Sequence, residues 1–315
     1  NTLRSHYKEK QELNPRQFLD FLDSYAKSSN KTFIRGLGIT GTPTKRKASD
    51  LISMATKTNP ITSGDSIEAK QQTHIANAIA EGLFGDPIPE EVAEKLAESI
   101  HIFTVRENQR TVARAIKEGR FGDPTIPENV AVKLAEKLGA FTAPLAQISI
   151  AEAILSGRFG DPTIPEDVAV KIAENLEGFT DPEAQQFVAG AIKYGLFGKT
   201  IPPLVAEKLA ENLGAFKGPE AQRDVAVAIK YGLFGKTIPP LVEAKLAENL
   251  GAFTDHEAQR DVVMAICNGR FGETIPLNVA VKLAEMLGDL TDRDAQIDVV
   301  LAIKDGKFGN PIPEN

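Results

Sequence analysis

The chain has 315 residues, 42% of them hydrophobic and 25% charged, with a formal net charge of −7. This is the composition of an ordinary soluble protein, and no apolar run approaches the ~20 residues that a membrane-spanning helix needs. One cysteine, Cys267, excludes an intrachain disulfide and fits a reducing compartment, and one Cys with four scattered His leaves no zinc-type spacing.

Residues 1–65 form a segment of their own. Asn14-Pro15 followed by Phe18, Leu19, Phe21, Leu22 and Tyr25 predicts a capped amphipathic helix, and a second helix is expected over about 47–56. Between them, Gly36, Gly38 and Gly41 match G-x-G-x-x-G. The dinucleotide reading needs a helix opening at the motif, and Thr42-Pro43-Thr44 follows instead, so no cofactor is expected. The stretch reads as a Gly-rich connector whose Lys45, Arg46 and Lys47 suit an acidic partner, a nucleic acid or membrane headgroups. Its helices could also cap the open end of a repeat array. The charge divides sharply. Residues 1–70 hold twelve Lys/Arg against seven Asp/Glu, which is +5, and the rest of the chain carries −12.

From residue 66 onward one phrase recurs, Phe-Gly, at Phe84, Phe121, Phe159, Phe197, Phe234, Phe271 and Phe308, with gaps of 37, 38, 38, 37, 37 and 37 residues. A fixed period in this range is the signature of a helical-repeat array. The fifth unit shows how each is built. Gln222, Val225 and Ile229 share one face of a first helix, flanked by Ala221, Ala226 and Ala228. Gly232 supplies a left-handed C-cap, and Leu233-Phe234 turns back over the helix end. Pro239 opens a second helix, with Val242, Leu246 and Leu250 as its apolar stripe. Gly251 then caps that helix and Phe253 closes the core. Thr104…Glu107, Thr180…Glu183 and Thr254…Glu257 have the spacing of capping boxes for the next first helix. Residues 191–216 and 228–253 are nearly identical, which points to duplication.

Helix, short loop, helix and sharp turn, seven times over, resembles the α-solenoid class of tetratricopeptide-like and HEAT-like two-helix arrays. The likeness is architectural and covers residues 66–315. The Trp and Gly-Tyr phrases of the tetratricopeptide repeat and the Thr-Pro-Leu-His phrase of ankyrin are absent. The resemblance implies an all-α, right-handed α-solenoid with a small helical N-terminal segment, binding protein or peptide along an extended surface.

Comparing the units separates scaffold from candidate site. Gln72, Gln109, Gln147, Gln185, Gln222, Gln259 and Gln296 occupy one slot on the apolar face, where a ladder of amides bonded to neighbouring backbone is expected. Lys95, Lys133, Lys171, Lys208, Lys245 and Lys282 each precede a Glu by three residues and read as a solvated face. One outward slot of the first helix varies: Asn77, Arg114, Glu152, Gly190, Val227, Met264 and Leu301. With Phe187 and Tyr194 in the fourth unit and Tyr231 in the fifth, it predicts an exposed apolar and aromatic patch of Phe187, Tyr194, Val227, Tyr231, Met264 and Leu301. Val132, Val170, Ala244 and Val281 mark a weaker outward slot on the second helix.

His6, His74, His101 and His256 fall at unrelated repeat positions beside no recognisable catalytic group, so the fragment reads as non-catalytic, without metal or cofactor. The expected function is a protein- or peptide-binding scaffold in the cytoplasm. Modular nucleic-acid binding is the first alternative, which the acidic array opposes because phosphate neutralisation needs a basic stripe. The second is the targeting arm of a larger enzyme or of a secreted bacterial effector acting in host cytoplasm. The chain begins at Asn1, lacks a signal-peptide pattern, and stops at Asn315 where a second helix should begin; both ends read as cut points.

Overall fold

A computed structural model describes residues 65–308 apart from positions 278, 282–284, 286–289 and 291. The expectations for Phe18 to Tyr25, for the glycine motif at 36–41 and for Lys45, Arg46 and Lys47 lie outside the described residues.

Every described regular element is helical. First helices are α1 (Asp65–Ala80), α3 (Arg106–Lys117), α5 (Pro144–Leu155), α7 (Pro182–Lys193), α9 (Pro219–Lys230), α11 (His256–Cys267) and α12 (Arg293–Lys304). Second helices are α2 (Glu90–Glu98), α4 (Glu128–Glu136), α6 (Glu166–Glu174), α8 (Pro203–Glu211) and α10 (Pro240–Asn249). Each first helix packs on the first helix of the next unit, and each second helix on the next second helix, giving two parallel layers. The fold is the all-α helical-repeat solenoid expected from the period.

The fifth unit explains the local geometry. Pro219 stands in the first turn of α9, where its missing N–H costs nothing. Ala221, Gln222, Val225, Ala226, Ala228 and Ile229 are buried along one side. Gly232 ends the helix at φ +79°, and the Leu233 amide donates to the Ala228 carbonyl at 3.0 Å, closing a Schellman turn. Leu233-Phe234 then folds over the helix end, and the Phe234 ring is buried, as is Phe in every other described Phe-Gly phrase. Gly235 has φ +121°, and a Cβ there would sit 2.7 Å from the Thr237 carbonyl oxygen. Phe therefore packs and Gly turns.

Three kinds of bond join the units. The amide of the Ile preceding each Pro donates to a carbonyl of the next unit: Ile126 to Arg158 at 2.8 Å, Ile164 to Leu196 at 2.7 Å, Ile201 to Leu233 at 2.7 Å and Ile238 to Arg270 at 2.7 Å. The Gln row does the same work at the opposite edge. Gln147 Nε2 donates to Phe141 O, where the preceding unit closes, at 2.8 Å and to Gly178 O, near the end of its own unit, at 2.8 Å. Its Oε1 accepts from the amides of Thr180 at 3.0 Å and Asp181 at 2.9 Å in the following unit. Gln109 and Gln222 repeat the pattern toward Thr142-Ala143 and Thr254-Asp255. The third kind is ionic. Lys171–Glu174 and Lys208–Glu211 pair within a helix at 2.8 Å, while Lys133 reaches Glu98 and Lys245 reaches Glu211 of the preceding unit at 3.8 and 3.9 Å. Each Lys of that described row is thus beside carboxylates, as a solvated charged face requires.

Two local expectations are corrected. The Thr of each capping-box phrase does not cap: Thr180 and Thr254 turn their hydroxyls to the Gln side chains. The caps are Asp181 and Asp255, one residue later, which accept from the second and third amides of α7 and α11. Competition for the Thr hydroxyl by a buried amide explains the shift. Gly251 is not a left-handed cap either. It lies in a 3-10 turn, Leu250–Ala252, with open space where a Cβ would be.

Candidate functional site

The variable outward slot of the first helix is less open than its helical angle implies. Asn77, Arg114 and Leu301 are exposed, but Glu152, Val227 and Met264 are half-buried and Gly190 is buried. The reason is packing between neighbouring first helices. A Cβ on Gly190 would lie 3.6 Å from Leu155 Cδ1 of the preceding unit and 3.9 Å from Asp224 Oδ2 of the following one. Phe187 is likewise half-buried against the core. On the second layer, Val132 and Ala244 are half-buried and Val170 is buried.

Tyr194 and Tyr231 differ from the rest of the slot. They are 72% and 67% exposed and stand at the C-caps of α7 and α9, in equivalent places of consecutive units. Both rings are held from below by the same device. Lys193 Nζ lies 5.7 Å from the Tyr194 ring centroid, and Lys230 Nζ lies 5.8 Å from that of Tyr231. Each ammonium is fixed in turn by a carboxylate of the next unit, Lys193 to Asp224 at 2.7 Å and Lys230 to Asp261 at 2.6 Å. The Asp224 carboxylate bonded to Lys193 holds that ammonium above the usual lysine range.

The helix ends carrying these rings and the starts of the second helices share one edge of the array, because each pair is antiparallel and joined by a short loop. On that edge Leu204 and Leu241 are 47% and 57% exposed, in the first turns of α8 and α10. The Ile201–Leu233 backbone bond brings the loop leading into Leu204 alongside the turn that follows Tyr231. Tyr194, Leu204, Tyr231 and Leu241 therefore line one edge across two units. Helix-face reasoning passes over the leucines, yet the signal is in the sequence. The slot reads Glu91, Asn129, Asp167, Leu204, Leu241 from unit one to unit five, and the Tyr slot reads Glu81, Glu118, Ser156, Tyr194, Tyr231.

Leu301 is exposed together with Ile297 and Val300 on α12. The equivalents of Val300 in the other units, from Ala76 to Val263, are buried beneath the following unit. Val300 therefore stands at a stacking position, whereas the equivalents of Leu301 are exposed at Asn77 and Arg114 and half-buried at Glu152, Val227 and Met264.

Among the described residues, chemistry-bearing groups elsewhere do not converge. His101 and His256 are exposed on different units. Burial pushes the Cys267 thiol up, and its Sγ lies 3.4 Å from the Asp298 carbonyl oxygen, in the slot that Lys193 and Lys230 fill elsewhere. Among the described residues no group of three His, Cys, Asp or Glu could hold a metal ion, and no helix is long and apolar enough to cross a membrane. No family model, curated protein or solved structure matches the chain.

Proposed function

We propose that the array binds a protein partner through a peptide segment, and that the contact centres on the loop edge of units four and five. The observation carrying this reading is the pair Tyr194 and Tyr231. Two large rings stand two-thirds or more in water at equivalent positions, each braced by a Lys that is itself braced by an Asp. Braced aromatics lose little side-chain freedom on contact and supply much apolar area, which is why Tyr is enriched among residues that dominate binding energy. Leu204 and Leu241 extend the apolar area beside them. An acidic array with its Lys row paired to Glu offers little to a phosphate backbone.

The test begins with a random-peptide display library selected on the immobilised protein. Enriched peptides are expected to bind the Tyr194→Ala/Tyr231→Ala variant at least ~30-fold more weakly, since two anchor residues of ~1–2 kcal/mol each are lost. The melting temperature should not change, because both rings are exposed. Equal binding to the variant, or no enrichment at all, would remove the Tyr edge from the account.

A further inference from the structure

The loop edge changes character midway along the array. Counting from the C-cap of each first helix through the first turn of the second, the formal charge by unit is −4 (residues 81–91), −2 (118–129), −2 (156–167), +1 (194–204) and +1 (231–241). The apolar Tyr and Leu positions begin where the acidic ones end. Part of the acidity has a local cause, because Glu90, Glu128 and Glu166 stand in the first turns of α2, α4 and α6, where carboxylates complement the helix dipole. That cause acts equally on α8, which has no acidic residue in its first turn and begins Pro203-Leu204 instead. The division therefore follows the surface rather than the helices. Neutralisation within the edge also stops midway. Arg120 pairs with Asp86 and Arg158 with Asp123, each reaching back one unit, but the matching place in unit four holds Leu196, so no Arg reaches back to Asp161.

We infer that the edge takes a bipartite segment of the partner: a stretch of Lys and Arg along units one to three, joined to apolar or aromatic side chains against Tyr194 and Tyr231. The inference rests on the peptide-binding reading of the Tyr edge and adds the chemistry of the ligand. Charge complementarity selects the basic half, since a basic chain is drawn to the acidic loops and an acidic chain or nucleic acid is repelled. The apolar half is selected by the exposed rings. Neighbouring helices in a layer are about 10 Å apart, so five units span roughly 40 Å, a distance that about 12 residues of extended chain cover.

The probes are labelled synthetic peptides of about that length, a Lys/Arg block joined to a Leu/Phe/Tyr block in both chain orders, with control peptides in which Glu replaces every Lys and Arg. Binding to the full chain is followed by fluorescence anisotropy at low and at moderate salt. One order of the basic peptide should bind at least tenfold more tightly than its acidic control, and the advantage should shrink with salt. The Glu90→Lys/Glu166→Lys variant should lose about tenfold in affinity for that peptide and stay folded by circular dichroism, with a small drop in melting temperature because both carboxylates are lost from helix N-termini; Glu91→Lys/Asp167→Lys repeats the test at adjoining exposed positions. Equal binding of basic and acidic peptides, full affinity in both charge-reversed variants, or tighter binding of a single-stranded oligonucleotide overturns the inference. Tyr194→Ala/Tyr231→Ala is run in parallel. If it abolishes binding while the charge reversals do not, the bipartite ligand is wrong and the peptide-binding edge stands; if it changes nothing, that reading falls as well.

Discussion

Replacing Gln147 by Leu is expected to destabilise the protein by about 4 kcal/mol, although the two side chains are similar in size. The Gln147 amide is buried between units three and four. It donates to the carbonyls of Phe141 and Gly178 and accepts from the amides of Thr180 and Asp181. Leu would leave four backbone groups without their partner, at about 1–3 kcal/mol for each one that water cannot reach, offset in part by the better transfer of an apolar side chain. Two of the four belong to the next unit, so the loss falls on the stacking interface. In a quasi-one-dimensional array a weakened interface lets the two sides unfold apart. Urea unfolding followed by circular dichroism should therefore shift to lower denaturant and broaden or split. Gln296→Leu is the internal control. Gln296 is exposed, and its amide donates to Leu290 O at 2.8 Å, so that change should cost less than about 1 kcal/mol. A Gln147→Leu protein as stable as the parent would mean the Gln row is not what joins the units.

A second large effect is expected at Glu243. In α8 the chain reads Val205-Ala206-Glu207-Lys208, and in α10 it reads Val242-Glu243-Ala244-Lys245. The two middle residues are exchanged. The exchange puts a carboxyl into the slot that Ala93, Ala131, Ala169 and Ala206 fill as buried core, and Glu243 is only 4% exposed. Its Oε1 finds no hydrogen-bond partner. Burial raises the Glu243 pKa from 4.5 to about 7. The folded state thus holds this proton more tightly than the unfolded state. The penalty is absent below pH ~4.5, grows as pH rises through ~7, and is complete above it. At full size it is on the order of 3 kcal/mol. The variant Glu243→Ala/Ala244→Glu restores the order found in α8. It should be more stable than the parent by about that amount at pH 8, with the gain fading toward pH 4.5. The difference between the two unfolding free energies across that range measures it. A gain that does not depend on pH would show that Glu243 never carries the buried charge.

Much of this molecule was legible from the repeat. Seven Phe-Gly phrases set the unit, and because Gln occupies one slot in all seven while its neighbours vary, a scaffold role could be assigned before any atom was placed. What stayed hidden depends on contacts between units. Thr180 and Asp181 stand side by side, and which of them caps α7 turns on Gln147, more than thirty residues away. Gly190 looked outward by helical angle, yet Leu155 and Asp224 from the two flanking units cover it. The Glu243 exchange is plain in the sequence, but its consequence follows only once that slot is known to face the core. Among the proposed site residues, Tyr194, Tyr231 and Leu301 are exposed, while Phe187, Val227 and Met264 are partly covered. Leu204 and Leu241 escaped notice because they lie at helix ends, where loops meet, and not on a helix face.

The central claim is that a partner segment lies on the loop edge of units four and five. Photocrosslinking tests it most directly. A benzoylphenylalanine is placed at Tyr231 in one sample and at Glu136 in another, an exposed position on α4 of the other layer, and each is irradiated with a peptide selected on the parent protein. A covalent adduct is expected from position 231 and none from position 136. An adduct at 136 with none at 231 would contradict that claim.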